Sequence, residues 1–161
     1  MNDAVSMFDN WASDPEVTKF LTWDVHPNIE YTEKWLSRSM KKYSNDDFYY
    51  WAIEFEGDVI GCIGGNVVGE CGYDIGYCLG RKWWNCGIMT EAVSAVISFA
   101  FCDLLLNYVG LSYMLDNKAS GRVAEKCGMR FIKEEKNEFT KHGVAYDLGY
   151  YRIERKNKYE V

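Results

Sequence analysis

The spacing of apolar residues changes several times along this chain, and each change marks a new element. Residues 3–12 and 14–22 read as short helices. Asp14-Pro15-Glu16 opens the second, with an N-cap aspartate, proline at the first helical position and an acid in the first turn. His26-Pro27-Asn28 breaks the pattern, and a longer amphipathic helix follows from Ile29 or Glu30 to Tyr43, with Trp35, Leu36 and Met40 on its apolar side. After a turn at Ser44-Asn45-Asp46-Asp47 the period becomes two. Residues 48–55 and 59–66 form a hairpin about Glu56-Gly57-Asp58, and residues 71–79 form the next strand. Residues 92–101 are apolar nearly all round, as in a buried helix. A strand at 107–115, a helix at 117–127 and strands at 129–135 and 144–155 complete the chain, the last two joined near Lys141-His142-Gly143. Helices, then antiparallel strands, then strand–helix–strand–helix–strand predict one mixed α/β (α+β) domain over residues 1–161, with one central sheet flanked by helices.

Composition narrows the class. A chain of 161 residues buries a core without disulfides or metal, and its 16% aromatic content argues for a packed fold. Met1-Asn2-Asp3-Ala4 lacks the form of a signal peptide, and no apolar run is long enough to span a bilayer. A cytoplasmic protein without membrane contact is the expectation. Six cysteines, at 62, 71, 78, 86, 102 and 127, include no Cys-x-x-Cys pair, and the chain has two histidines. That spacing suits neither zinc nor a Cys–His pair and predicts no metal. Reduced, packed thiols are expected instead. The net charge of −6 disfavours broad nucleic-acid binding and favours a cationic second substrate.

The chemistry concentrates around residues 72–92. One face of the 71–79 strand is Gly72, Asp74, Gly76 and Cys78, all small except Asp74. The strand runs into Arg81-Lys82-Trp83-Trp84-Asn85-Cys86-Gly87-Ile88 and then a helix start. Helix-start N–H groups lack intrahelical partners and carry partial positive charge, so such a turn suits a phosphate or pyrophosphate. A ligand with an extended amide arm and a pyrophosphate tail would fit strand and turn together. An ordinary strand-to-helix connection and a sheet face packed under a helix fit the same residues, and both pairs of readings stand open.

Gly76-Tyr77-Cys78-Leu79, followed by Trp84-Asn85-Cys86-Gly87-Ile88-Met89-Thr90-Glu91-Ala92, resembles the acetyl-CoA motif of the GNAT superfamily of N-acetyltransferases. The group it looks most like is that of the ribosomal-protein N-terminal acetyltransferases RimJ and RimL, which usually read Gly-Tyr-x-Leu and then Trp-Gly-x-Gly-x-x-Thr-Glu-Ala. Asn117-x-x-Ser120-x-x-Val123-x-Glu125-Lys126-x-Gly128 is similar to the group's second motif. Gly143-x-x-x-Asp147-x-x-x-Tyr151 is similar to its closing strand, and Asp14-Pro15-Glu16-Val17 to its first helical region. The resemblance spans nearly the whole chain. Three departures stand out. Asn85 replaces the first motif glycine, and asparagine is among the few non-glycine residues that enter the left-handed region. Cys86 stands where a basic residue is common. The group's usual first strand has no counterpart before Asn2, which leaves a sheet edge open, covered or paired, and the oligomer a monomer or homodimer.

The resemblance implies a single GNAT-like domain, a mostly antiparallel mixed sheet and acetyl-CoA as cofactor. The implied cofactor residues are Cys78, Leu79, Trp84, Asn85, Cys86, Gly87, Ile88, Met89, Thr90, Asn117, Ser120, Arg122 and Lys126. Arg81, Lys82, Lys118, Arg122, Lys126 and Arg130 form a basic cluster suited to the phosphates. Acetyl transfer needs a neutral amine, a stabilised oxyanion and a protonated leaving thiolate. A backbone N–H at Cys78 or Leu79 polarises the thioester carbonyl. Ser120 donates toward the thiolate and Glu138 serves as base, with Asp74 or water as alternatives; Tyr151, which matches a family tyrosine, is the third catalytic candidate, with a core aromatic as its alternative. The implied acceptor is a protein N-terminal α-amine, whose pKa near 8 demands less of a base than the ~10.4 of lysine. A small amine (a polyamine, an aminoglycoside or an amino-acid derivative) and a non-catalytic CoA-binding module are the alternatives. Trp23, Tyr31 and Trp35 either line an acceptor groove or sit in the core.

Overall fold

A computed structural model describes residues 3–156. Helix α1 (Asp3–Met7) continues through a π-helical turn, Phe8–Ala12, and is followed by α2 (Pro15–Thr18) and α3 (Ile29–Lys41). Strands β1 (Phe48–Phe55), β2 (Asp58–Val68) and β3 (Gly72–Leu79) come next, then α4 (Ile88–Cys102), β4 (Tyr108–Met114), α5 (Lys118–Lys126), β5 (Arg130–Lys141) and β6 (Val144–Glu154). The six strands lie in the order β1-β2-β3-β4-β6-β5. β3 pairs with β4 in parallel, and β4–β6 and β5–β6 are antiparallel. Among the described residues no strand precedes β1, and no helix is long and apolar enough to cross a membrane.

The chain gathers into two compact units. One contains the chain up to Gly65 with Tyr77–Ile88, and the other Asn66–Gly76 with the chain from Met89 onward. In the first, Asp14 caps α2 by accepting from the Glu16 amide, and Asn28 caps α3 by accepting from that of Tyr31. Met7, Trp11, Ala12, Val17, Cys62 and Cys78 form its core, with Trp23, Trp35, Leu36 and Tyr50 packed on it. Trp23 and Trp35 are therefore core aromatics. Met40 is 59% exposed and the buried residue of α3 is Thr32, contrary to the apolar side expected for Met40. Thr32 supplies a polar partner to the buried His26 ring, whose Nδ1 lies 2.9 Å from the Thr32 hydroxyl, which accounts for its burial; Met40 lies in the last turn of α3.

His26 is ringed by Trp23, Tyr31 and Trp35, and among the described residues its Nε2 has no hydrogen-bond partner. Burial pushes its pKa below the usual value. The unfolded chain thus takes up a proton that the folded one resists. Stability is full above the ordinary histidine pKa and is lost as pH falls from there toward the depressed folded value. Melting temperature should drop between about pH 7 and pH 5, as pH passes the ordinary histidine value of about 6.5, and His26→Gln should flatten that slope.

In the second unit α4 buries one face, through Met89, Val93, Val96, Ile97 and Ala100. Ser94 and Ser98 are exposed, so the helix is not buried all round. Their hydroxyls donate to the carbonyls of Thr90 and Ser94 at 2.8 and 3.0 Å, which keeps polar groups inside an apolar run satisfied. β5 extends six residues beyond the expected 135, to Lys141, across the polar stretch from Glu134 to Thr140. Its pairing with β6 is irregular between Glu135 and Phe139, and Asn137 has φ 53°. Because a bulge breaks the alternation of side chains, periodicity does not reveal the strand there. His142 and Gly143, at φ 51° and 77°, form the closing two-residue turn.

Candidate active site

The strand-to-helix turn belongs to the first unit. Gly80 donates its amide to the Ile60 carbonyl at 2.8 Å. A Cβ on Gly80 would lie 2.7 Å from the Asn10 carbonyl oxygen and 2.8 Å from the Trp83 ring, so only glycine fits. Arg81 Nε donates to Asp14 Oδ2 at 2.6 Å, which engages one cation of the expected phosphate cluster elsewhere. The Trp84 indole N–H donates to the Leu79 carbonyl at 2.7 Å and pins the turn to the end of β3. Asn85 stands at φ 62° and Gly87 at φ 84°, and Asn85, Cys86 and Gly87 are all exposed. Helix α4 starts at the next residue, Ile88. Two left-handed residues immediately before a helix turn successive N–H groups outward, the arrangement that binds anions. Cys78 is buried, its Sγ 3.2 Å from that of Cys62, which Tyr50 contacts at 2.9 Å.

The second unit holds the remaining residues. Met89 and Thr90 lie in the first turn of α4. Asn117 caps α5: its side chain accepts from the Ser120 amide at 3.3 Å and donates to Ser120 Oγ at 3.2 Å. Arg122 and Lys126 are exposed on the same helix. The β3–β4 ladder joins Gly72↔Tyr108 through Ile75↔Leu111. Gly76 follows, exposed, with nothing within 4 Å of where a Cβ would be.

Tyr151 and Glu138 lie in different settings. Tyr151 is 7% exposed and donates its hydroxyl to Glu125 Oε1 at 2.9 Å. Burial first, and that hydrogen bond second, push its pKa up to about 12. Its ring lies 5.8 Å from that of Tyr113, whose hydroxyl occupies the space over Gly121 of α5. Tyr151 thus sits on the side of the sheet that α5 covers. Strand alternation puts Asp74, Ser112, Tyr150 and Arg152 on the opposite side. Glu138 is exposed, in the irregular part of β5, and helps raise the pKa of Tyr150 together with Glu135 and Asp74, after burial. After burial, Glu135 acts most strongly on this phenol, through a hydrogen bond.

Asp74 itself is shifted upward by burial, against the pull of Arg152. Its carboxylate overlies Gly110, where a Cβ would collide with Oδ1. Sequence reasoning missed Tyr150, Arg152 and Glu135. Tyr150 and Arg152 alternate along β6 with the buried Gly149 and Tyr151, and that period was the available signal.

A model of the acetyltransferase (GNAT) domain matches residues 1–130. The chain belongs to the GNAT acetyltransferase family. Among its relatives, the N-acetyltransferase YoaA of Bacillus subtilis (strain 168) is 27% identical over 155 residues, covering 94% of this chain and 87% of that one. Two solved structures share the fold. The microcin C7 self-immunity acetyltransferase MccE, in complex with acetyl-CoA and AMP, has a TM-score of 0.86 at 22% identity, covering 96% of this chain and 88% of that one. RimL, the ribosomal L7/L12 α-N-protein acetyltransferase in complex with coenzyme A, has a TM-score of 0.85 at 17% identity, covering 95% and 89%.

This GNAT enzyme is an acetyl-CoA-dependent N-acetyltransferase. Its residues fit that cofactor. The exposed left-handed pair at Asn85 and Gly87 precedes a helix N-terminus, and Gly76 leaves open space beside a strand. Asn85 holds the backbone conformation that the glycine of the motif would hold, so its substitution does not disqualify the turn.

Proposed function

We propose that this acetyltransferase acts on the α-amine of a protein N-terminus, as the name of RimL states for that enzyme. The observation that carries the reading is Asp74, a carboxylate with a raised pKa on the open side of the sheet, two residues from Gly76. An α-amine has a pKa near 8, so one carboxylate of modest basicity can take its proton.

The remaining roles follow the motifs. Bound acetyl-CoA supplies an activated acetyl thioester. Asn85, Cys86, Gly87, Ile88, Met89 and Thr90 offer backbone N–H groups to its phosphates, aided by Arg122 and Lys126, with Trp84 fixing the turn. Cys78 and Leu79 offer strand amides to its extended arm and to the carbonyl. Ser120, oriented by Asn117, donates toward the leaving thiolate. Glu138, exposed in the irregular part of β5, is the second candidate base. Tyr151 acts as a positioning residue, since its proton is committed to Glu125 and thereby holds α5, which carries Ser120.

A second reading, a small cationic amine, is favoured by the net charge of −6. Release of CoA thiol should separate the two on a panel of a free-N-terminus peptide, spermidine and an aminoglycoside. The N-terminal reading expects fastest turnover with the peptide. Faster turnover with spermidine or the aminoglycoside would replace it by the second.

A further inference from the structure

The open side of the second unit carries charge of both signs, and their arrangement is specific. Asp74 pairs in register with Gly110, and Gly110 with Arg152, so the three stand in one row across three adjacent strands. The next row contains Ser112 opposite Tyr150. Gly110 and Ser112 make a low floor, flanked by Asp74 on one side and by Tyr150 and Arg152 on the other. Strands are spaced by about 4.8 Å, so the Cα atoms of Asp74 and Arg152 stand roughly 10 Å apart. The Asp74 carboxylate leans over Gly110, which has no side chain, while the Arg152 guanidinium lies on the ring of Tyr108. They interact electrostatically, because Arg152 pulls the Asp74 pKa down against the effect of burial.

Arg152 is set by its neighbours. Its guanidinium carbon lies 3.9 Å from the centroid of the Tyr108 ring, which orients the plane and leaves the N–H edge for a partner. Nη1 is 3.6 Å from Glu154 Oε1, beyond hydrogen-bond length and on an exposed pair, so that contact restrains it weakly. A planar donor edge beside a carboxylate matches a ligand that carries an acceptor oxygen next to an amine.

Resting on the N-acetyltransferase reading above, we propose that Arg152 is a specificity-determining residue. It takes the carbonyl or carboxylate oxygen of an α-aminoacyl acceptor, H2N–CHR–C(=O)–, whose amine is received at Asp74. A peptide N-terminus and a free amino acid both present that group. A polyamine instead brings a second ammonium toward Arg152, and like charges there oppose binding, whereas Lys133, whose Nζ lies 4.8 Å from the centroid of the Tyr150 ring, is neutralised by Glu135 at 2.6 Å.

The test is steady-state transfer to four acceptors: a tripeptide amide with a free N-terminus, the corresponding free amino acid, a simple alkylamine without the carbonyl, and spermidine. It uses wild type, Arg152→Met, which keeps an apolar stem on Tyr108, and Arg152→Lys, with thermal melts confirming the fold. Arg152→Met should raise KM at least tenfold for whichever aminoacyl acceptor is used best. KM for the alkylamine and for acetyl-CoA should stay unchanged, and Arg152→Lys should recover part of the loss. Preference between the peptide and the free amino acid identifies the source, and either one supports the role of Arg152. Equal change on all acceptors, or none, overturns that role while the N-terminal reading stands. Wild-type preference for spermidine over both aminoacyl acceptors overturns the two together.

Discussion

Asp74→Asn should lower kcat/KM for an α-amine acceptor by roughly a hundredfold or more, the usual contribution of a positioned general base. Acetyl-CoA affinity, measured by calorimetry, should be retained, because the turn at residues 84–87 does not depend on this side chain. The same substitution should not weaken the fold. The Asp74 pKa is raised on folding, so the native carboxyl holds its proton more tightly than the unfolded one. Stability is then full below the unfolded pKa and is lost as pH rises through the folded one. At neutral pH the charged, part-desolvated carboxylate costs stability, and the melting temperature of the Asp74→Asn variant should equal or exceed that of wild type. Lower activity without lower stability is the signature of a group retained for chemistry. A large fall in melting temperature would instead make Asp74 a structural residue.

Gly87→Val should weaken acetyl-CoA binding. Gly87 has φ 84°, and a β-branched residue is strained there whatever the space around it. Holding such a conformation costs on the order of 1–3 kcal/mol, a weakening of roughly fivefold to over a hundredfold if the turn persists and more if it rearranges. Asn85→Gly is the matched control. Asn85 already holds φ 62°, so glycine there should leave calorimetric affinity within about twofold, since asparagine and glycine both enter this region readily. Equal affinity in Gly87→Val and wild type would remove the turn from the cofactor site.

Much of this was legible before the structure. The period changes placed β1 and the hairpin turn at Glu56 and Gly57, and the Asp14-Pro15-Glu16 signal placed one helix start, because capping and alternation are local effects that sequence records directly. The asparagine at position 85 was readable for the same reason. Other features depend on tertiary partners. Thr32 is buried in α3 because the buried His26 ring meets its hydroxyl, a partner the sequence does not announce. The far half of β5 escaped notice because its bulge breaks the alternation. Arg81 was engaged by Asp14, 67 positions away in sequence. Arg152 drew no notice in the sequence, and only the register sets it across Gly110 from Asp74.

The most direct test of the account is where the acetyl group lands on a peptide that carries both a free N-terminus and an internal lysine, read by fragment mass spectrometry after incubation with acetyl-CoA and enzyme. The account predicts one acetyl group, on the α-amine, with the lysine unmodified at early times. Modification of the lysine first, or transfer to spermidine with none to the peptide, would contradict it.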